Sequence, residues 1–243
     1  MRIIIVNNYE EMSKKAAMMI ASQVMLKPDS VLGLATGDTP LGMYKELIQL
    51  YSKNEVDFKE VTTFNLDEYY GINRKNPQSY YEYMMANLFN SININRKNIH
   101  VPDGMSQDVN AICSDYEEKI KKAGGIDMQV LGIGGNGHIG FNEPDVNFEA
   151  RTHLVNLDEQ TIEANSRFFD SIGDVPVKAL SMGIKTIMNS KKIILLANGI
   201  SKAESIARAI NGKISPKVPA SILQLHNDVT VILDSEAASG LQI

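Results

Sequence analysis

β-Branched and aliphatic residues in this chain gather into six short runs: Ile3–Val6, Val31–Ala35, Val61–Asn65, Met128–Ile133, Ile193–Ala197 and Val229–Leu233. They run on rather than alternate cleanly with polar residues. Each therefore predicts a strand buried on both faces, as in a parallel sheet covered by helices. Stretches with helical spacing lie between them. One helix is expected from about Glu10 to Met25. A second starts near Leu41, with Leu41, Tyr44, Ile48 and Tyr51 on one face. A third spans about Ser106–Lys122 and aligns Val109, Ile112, Cys113, Tyr116 and Ile120. A fourth follows Ser201 and aligns Ala203, Ile206, Ala207 and Ile210. Alternating strands and helices imply an α/β fold, a single doubly wound, open, mostly parallel sheet with helices on both faces. No repeat or linker divides residues 1–243, so one domain is expected. The polar segment 148–174, after the break at Pro144, is a candidate lid over a site.

Composition narrows the function classes. A hydrophobic content of 44% supports a full core. A net charge of -5 argues against a nucleic-acid surface, which usually needs a basic stripe. The one cysteine, Cys113, rules out an intramolecular disulfide and reads as a small core residue on an apolar helical face. No segment approaches the roughly 20 apolar residues of a membrane span, and Ile3–Val6 is too short for a signal segment. A cytoplasmic enzyme with no membrane partner is expected.

Open α/β sheets bind ligands at the carboxyl ends of their strands. Three such ends carry chemistry here. In Thr36-Gly37-Asp38-Thr39-Pro40, Thr39 is a candidate N-cap and Pro40 suits the first helical position. Exposed amides and the helix dipole favour an anion such as phosphate. A merely well-capped β–α turn fits the same residues, and Asp38 counts against an anion unless its carboxylate points away. In Phe64-Asn65-Leu66-Asp67-Glu68-Tyr69, neighbouring side chains point to opposite faces. One of Asp67 and Glu68 then faces a cleft as a candidate base, while the other is solvated or caps a turn. A surface acidic pair is the plainer alternative. The third end, Gly132–Pro144, holds Gly132, Gly134 and Gly137 in a dinucleotide-like spacing. Gly140 and Pro144 oppose the helix that a dinucleotide loop must enter, so the glycines read as a tight mounting for His138 and Glu143. No metal-ligand spacing, P-loop or nucleophile elbow is present.

Together these stretches resemble the glucosamine-6-phosphate deaminase family. LGLATGDTPLGMY at Leu32–Tyr44, FNLDEYYG at Phe64–Gly71 and LGIGGNGHIGFNEP at Leu131–Pro144 carry the resemblance. ARTH at Ala150–His153, ANSRFF at Ala164–Phe169, SKAE at Ser201–Glu204 and PASILQLH at Pro219–His226 extend it in family order. The resemblance implies conversion of glucosamine 6-phosphate and water to fructose 6-phosphate and ammonia, with no cofactor or metal. Asp67 would take the C2 proton, and His138 would assist ring opening, oriented by Asn136 and Glu143. Thr36, Gly37, Thr39, Arg167 and Lys202 would bind the phosphate. Two positions depart from the family: Asn136 stands where many members carry Asp, and Asp38 where Gly or Ser is common. Asn136 cannot stabilise an imidazolium by charge, so Glu143 is expected to be the main support of His138. The Asp38 side chain is expected to point outward.

The polar contacts that hold an N-acetylglucosamine 6-phosphate activator in some members fall where this chain has Val146 and Val155. The chain also stops soon after Leu233. An unregulated enzyme is expected, a monomer or small homo-oligomer. A lactonase-like enzyme on another sugar phosphate is the nearest rival and would release no ammonia. A non-catalytic sugar-phosphate sensor would carry a basic DNA-binding segment.

Overall fold

The computed structural model describes residues 1–167 and 169–242; Phe168, inside the Ala164–Phe169 motif, and Ile243 lie outside the described residues. In chain order the regular elements are β1 (Arg2–Val6), α1 (Tyr9–Leu26), β2 (Val31–Leu34), α2 (Leu41–Ser52), β3 (Thr62–Asn65), β4 (Asp67–Tyr69), α3 (Tyr80–Asn87) and β5 (Ile99–His100). There follow α4 (Val109–Lys122), β6 (Met128–Leu131), β7 (His153–Asn156), α5 (Glu159–Ser166), β8 (Lys178–Ser181), α6 (Ile184–Met188), β9 (Lys192–Ala197), α7 (Ala203–Ile210) and β10 (Val229–Asp234).

Seven strands form one parallel sheet in the order β1-β10-β9-β6-β2-β3-β5. All six expected strands belong to it. Their continuous apolar runs follow from burial on both faces. In β9, Ile193, Leu195 and Ala197 pack with Tyr116 of α4, Ile187 of α6 and Ile206 of α7. The alternate residues Ile194 and Leu196 pack with Met12 of α1, Met43 of α2 and Met84 of α3. The chain runs outward from β2 to β3 and β5, then returns to β6 and builds the other half. The crevice between β2 and β6 is thus the point where strand order reverses, where such sheets bind ligands.

A second sheet was not foreseen. β4, β8 and β7 pair antiparallel, with Asp67 opposite Ser181 and His153 opposite Ser181. Its strands are short and mixed in polarity, so no apolar run announces them. Through β7 the first part of segment 148–174 is built into this sheet.

Local capping explains the helix starts. Asp108 accepts the Ala111 N–H (2.9 Å), which starts α4 at Val109 rather than near Ser106. The expected Thr39 cap is not made. Pro40 already has helical angles (φ -80°, ψ -7°), and the Thr39 hydroxyl donates instead to Asn198 beyond β9 (3.1 Å).

At the amino end of the sheet, buried Asp127 accepts the Val31 N–H (2.8 Å) and ion-pairs with Lys191 (2.7 Å) and Lys27 (3.0 Å). Burial pushes its carboxyl up, but the two ammonium groups and the amide outweigh that and hold it below the usual range. A depressed folded pKa gives stability that is present above the unfolded pKa and lost as pH falls through the folded one. Asp127→Asn should therefore cost about 1–3 kcal/mol at pH 7, or roughly 2–4 °C of Tm per kcal/mol. The gap from wild type should narrow in melts below about pH 4.

Candidate active site

A cleft of about 860 Å³ lies across the carboxyl ends of β2, β6 and β9. Thr36, Gly37 and Thr39 reach it from the loop after β2, and Asp67 from the start of β4. Asn136 and His138 come from the loop after β6, Lys202 from the turn before α7, and Arg167 from just beyond α5. Glu143 is not part of the wall; it stands behind His138.

His138 Nδ1 lies 3.0 Å from Glu143 Oε2. Pairing with a carboxylate places the proton on Nδ1 and leaves Nε2 as the acceptor. The ring rests on bare backbone, because a Cβ added at Gly134 would come within 2.3–2.5 Å of it. Asn136 does not bond to the imidazole. Its Nδ2 donates to Glu143 Oε2 (2.8 Å), and its Oδ1 accepts the His138 main-chain N–H (3.1 Å). An ionised Asp at 136 would set one carboxylate against another, whereas Asn supplies a donor. The Thr161 hydroxyl, from α5, donates to Glu143 Oε1 (2.6 Å). Burial raises the Glu143 pKa, but His138, Thr161 and Asn136 together lower it to about 2. Glu143 is thus an anion throughout the neutral range.

Strand alternation sends Asp67 into the cleft and Glu68 away from it. Glu68 is not solvated. Its carboxylate is buried and accepts the N–H groups of Tyr69 (2.9 Å), Tyr80 (2.9 Å) and Tyr81 (3.0 Å), capping α3. Asp67 is also buried, but among the described residues no hydrogen-bond donor reaches its carboxylate. Tyr80 and Phe141 stand beside it in the wall, within an aromatic cluster that includes Tyr69 and Phe169. Gly140, at φ +56°, lets the loop pass close to the acid: a Cβ there would lie 3.1 Å from Ser181 Oγ and 3.8 Å from Asp67 Oδ2. Burial, with the nearby Glu68 charge second, raises the Asp67 pKa to about 8.

At the other end of the cleft, Arg167 Nη2 and Asp38 Oδ2 form an ion pair at 2.6 Å. The expectation that Asp38 points outward is corrected, since its carboxylate turns to a cation at the cleft mouth. The backbone of this loop is pinned: the Tyr83 hydroxyl donates to the Gly37 carbonyl (2.5 Å) and the Tyr9 hydroxyl to that of Asp38 (2.9 Å). Burial first, and the Arg167 charge second, lower the Lys202 pKa. Sequence reasoning missed Thr161, Tyr80 and Asn198, which no motif spacing marks, and gave Phe141 no role although it lies within the Leu131–Pro144 motif.

The family model for glucosamine-6-phosphate isomerases/6-phosphogluconolactonase matches residues 7–232. The chain belongs to this family. Similar members include glucosamine-6-phosphate deaminases of Clostridium botulinum, 68% identical over 243 residues and covering all of both chains, and of Clostridium acetobutylicum, 66% identical over 241 residues, covering 99% of this chain and 100% of the relative. A solved structure of a monomeric glucosamine-6-phosphate deaminase superposes with a TM-score of 0.96 at 49% identity, covering 99% of this chain and 100% of that one. A 6-phosphogluconolactonase from Thermotoga maritima shares the fold at 19% identity (TM-score 0.76; 96% and 98% covered).

The raised Asp67 pKa makes a stability prediction. A group whose folded pKa lies above its unfolded value opposes folding increasingly as pH rises between the two. Asp67→Asn removes that cost. Its Tm should match wild type near about pH 4 and exceed it by on the order of 10 °C above about pH 8. An equal or lower Tm at high pH would show that Asp67 is not held against its charge.

Proposed function

We propose that this chain is a glucosamine-6-phosphate deaminase that turns glucosamine 6-phosphate and water into fructose 6-phosphate and ammonia. One observation carries the reading: a buried carboxylate with no donor, Asp67, and a carboxylate-oriented imidazole, His138, share a cleft with Arg167 and Lys202. The full-length deaminase relatives support it. Arg supplies a bidentate fork and Lys a point charge for the phosphate, with Thr36, Gly37 and Thr39 closing the seat. His138 accepts the anomeric hydroxyl proton and returns a proton to the ring oxygen, opening the pyranose. Asp67 then takes the C2 proton, giving an enolamine. Return of a proton to C1 yields a C2 imine, which water hydrolyses, releasing ammonia and leaving the C2 ketone. Two groups fixed on separate loops serve the two steps without changing places. α5 and Arg167 form the part of the lid that closes over the cleft.

In an ammonia-release assay on glucosamine 6-phosphate, wild type should be active and Asp67→Asn reduced by roughly 10²–10⁴-fold. The wild-type kcat/KM should fall with decreasing pH below about 8, as Asp67 takes up its proton. Glu143→Gln should lose roughly tenfold or more, since His138 loses its anionic support. No ammonia from wild type would refute the reading.

The same reading takes the enzyme as a cytoplasmic monomer or small homo-oligomer without allosteric activation. The apolar Val146 and Val155 and the monomeric structural neighbour support it. Initial-rate curves should be hyperbolic and unmoved by N-acetylglucosamine 6-phosphate; sigmoidal curves that this compound straightens would contradict it.

A further inference from the structure

Asp38 has no part in the chemistry just described, and its charge has the wrong sign for a phosphate seat. Its carboxylate nevertheless stands 2.6 Å from the guanidinium of Arg167, across the mouth of the cleft. Arg167 is joined to α5, whose Thr161 also reaches down to Glu143 (2.6 Å). The Asp38–Arg167 pair thus adds a tie between the end of α5 and the loop after β2. We propose that Asp38 is an internal competitor for the substrate's phosphate: it holds Arg167 over the loop after β2 and must release that guanidinium when a phosphorylated ligand arrives. The proposal rests on the reading of Arg167 and Lys202 as the phosphate seat.

The charge balance supports competition over assistance. Arg167 and Lys202 stand close enough for the first to depress the protonation of the second. Their two positive charges match a phosphate dianion. A third group of charge -1 on the same guanidinium leaves an excess of negative charge at short range, which repels the dianion. Release is easy, because the side chains are 63% and 54% exposed and such pairs are weak. It also needs no loop movement. Tyr9 and Tyr83 pin the carbonyls of Asp38 and Gly37, so only the Asp38 side chain has to rotate. Asp38 is therefore a positioning residue that sets ligand affinity and the closure of α5, not a group that touches the reacting atoms.

The test uses inorganic phosphate as the probe, titrated calorimetrically at low and constant ionic strength. Asp38→Asn and Asp38→Ser should each bind phosphate about two- to fivefold more tightly than wild type, the range set by an exposed ion pair. Added salt should shrink the difference. In the Arg167→Gln background, Asp38→Asn should have little further effect, because the competition runs through that guanidinium. Amide hydrogen exchange in residues 159–167 should be faster in Asp38→Asn without phosphate and should return to the wild-type rate at saturation. Wild type that binds phosphate while both Asp38 variants bind it equally or more weakly would overturn the proposal, as would an undiminished effect in the Arg167→Gln background. If neither wild type nor variants bind phosphate, the phosphate seat itself is wrong and the proposal falls with it. Ammonia release by wild type tests the deaminase reading independently of either result.

Discussion

A sheet buried on both faces leaves its polar side chains almost no outlet except at the strand ends, and that constraint organises this protein. Residues of β9 pack alternately against α4, α6 and α7 and against α1, α2 and α3, so neither face is open for chemistry. Backbone amides and carbonyls inside the sheet are consumed by pairing. What remains is the row of loops where strands give way to helices, and the cleft lies there at the β2–β6 crevice where strand order reverses. Asp127 ties down the opposite end of the same strands, keeping its ion pairs apart from the charges of the cleft.

Within the cleft, two carboxyl groups of like intrinsic acidity are driven apart by their surroundings. Glu143 is surrounded by donors and stays ionised, with a pKa of about 2. Asp67 is surrounded by aromatic rings and another acid, which raise it to about 8. The first suits a fixed counter-charge for an imidazole. The second suits a general base, because a carboxylate with a raised pKa holds more strongly the proton it takes up. The three-stranded sheet makes this separation possible: pairing β4 with β8 turns Glu68 onto the start of α3 and leaves Asp67 to the cleft.

α5 links the two ends of the site. Through Thr161 it contributes to the charge state of Glu143, and through the Asp38–Arg167 pair it meets the loop after β2. Ile162 of α5 also packs against the cluster of Tyr69 and Phe141, so apolar and polar contacts together hold the segment down. The helix that helps to fix Glu143 therefore also meets the loop after β2.

The sequence by itself determined six of the seven strands of the large sheet and much of the helical frame, because burial on both faces writes a continuous apolar run that is readable over four to six residues; the two-residue β5 is too short to write one. It also marked the three loops, since glycine, carboxylate and histidine side by side at a strand end are legible without a partner. The tertiary structure alone decided which way those residues act. Thr39 looked like a cap, yet its hydroxyl bonds to Asn198, 159 residues away. Asp38 looked as though it must avoid the site, yet it meets Arg167. Thr161 carried no local signal, and β7 and β8 carried no apolar run. Each of these outcomes depends on a contact between distant segments, and hydrophobic periodicity records only whether a side chain is buried, not which partner it meets.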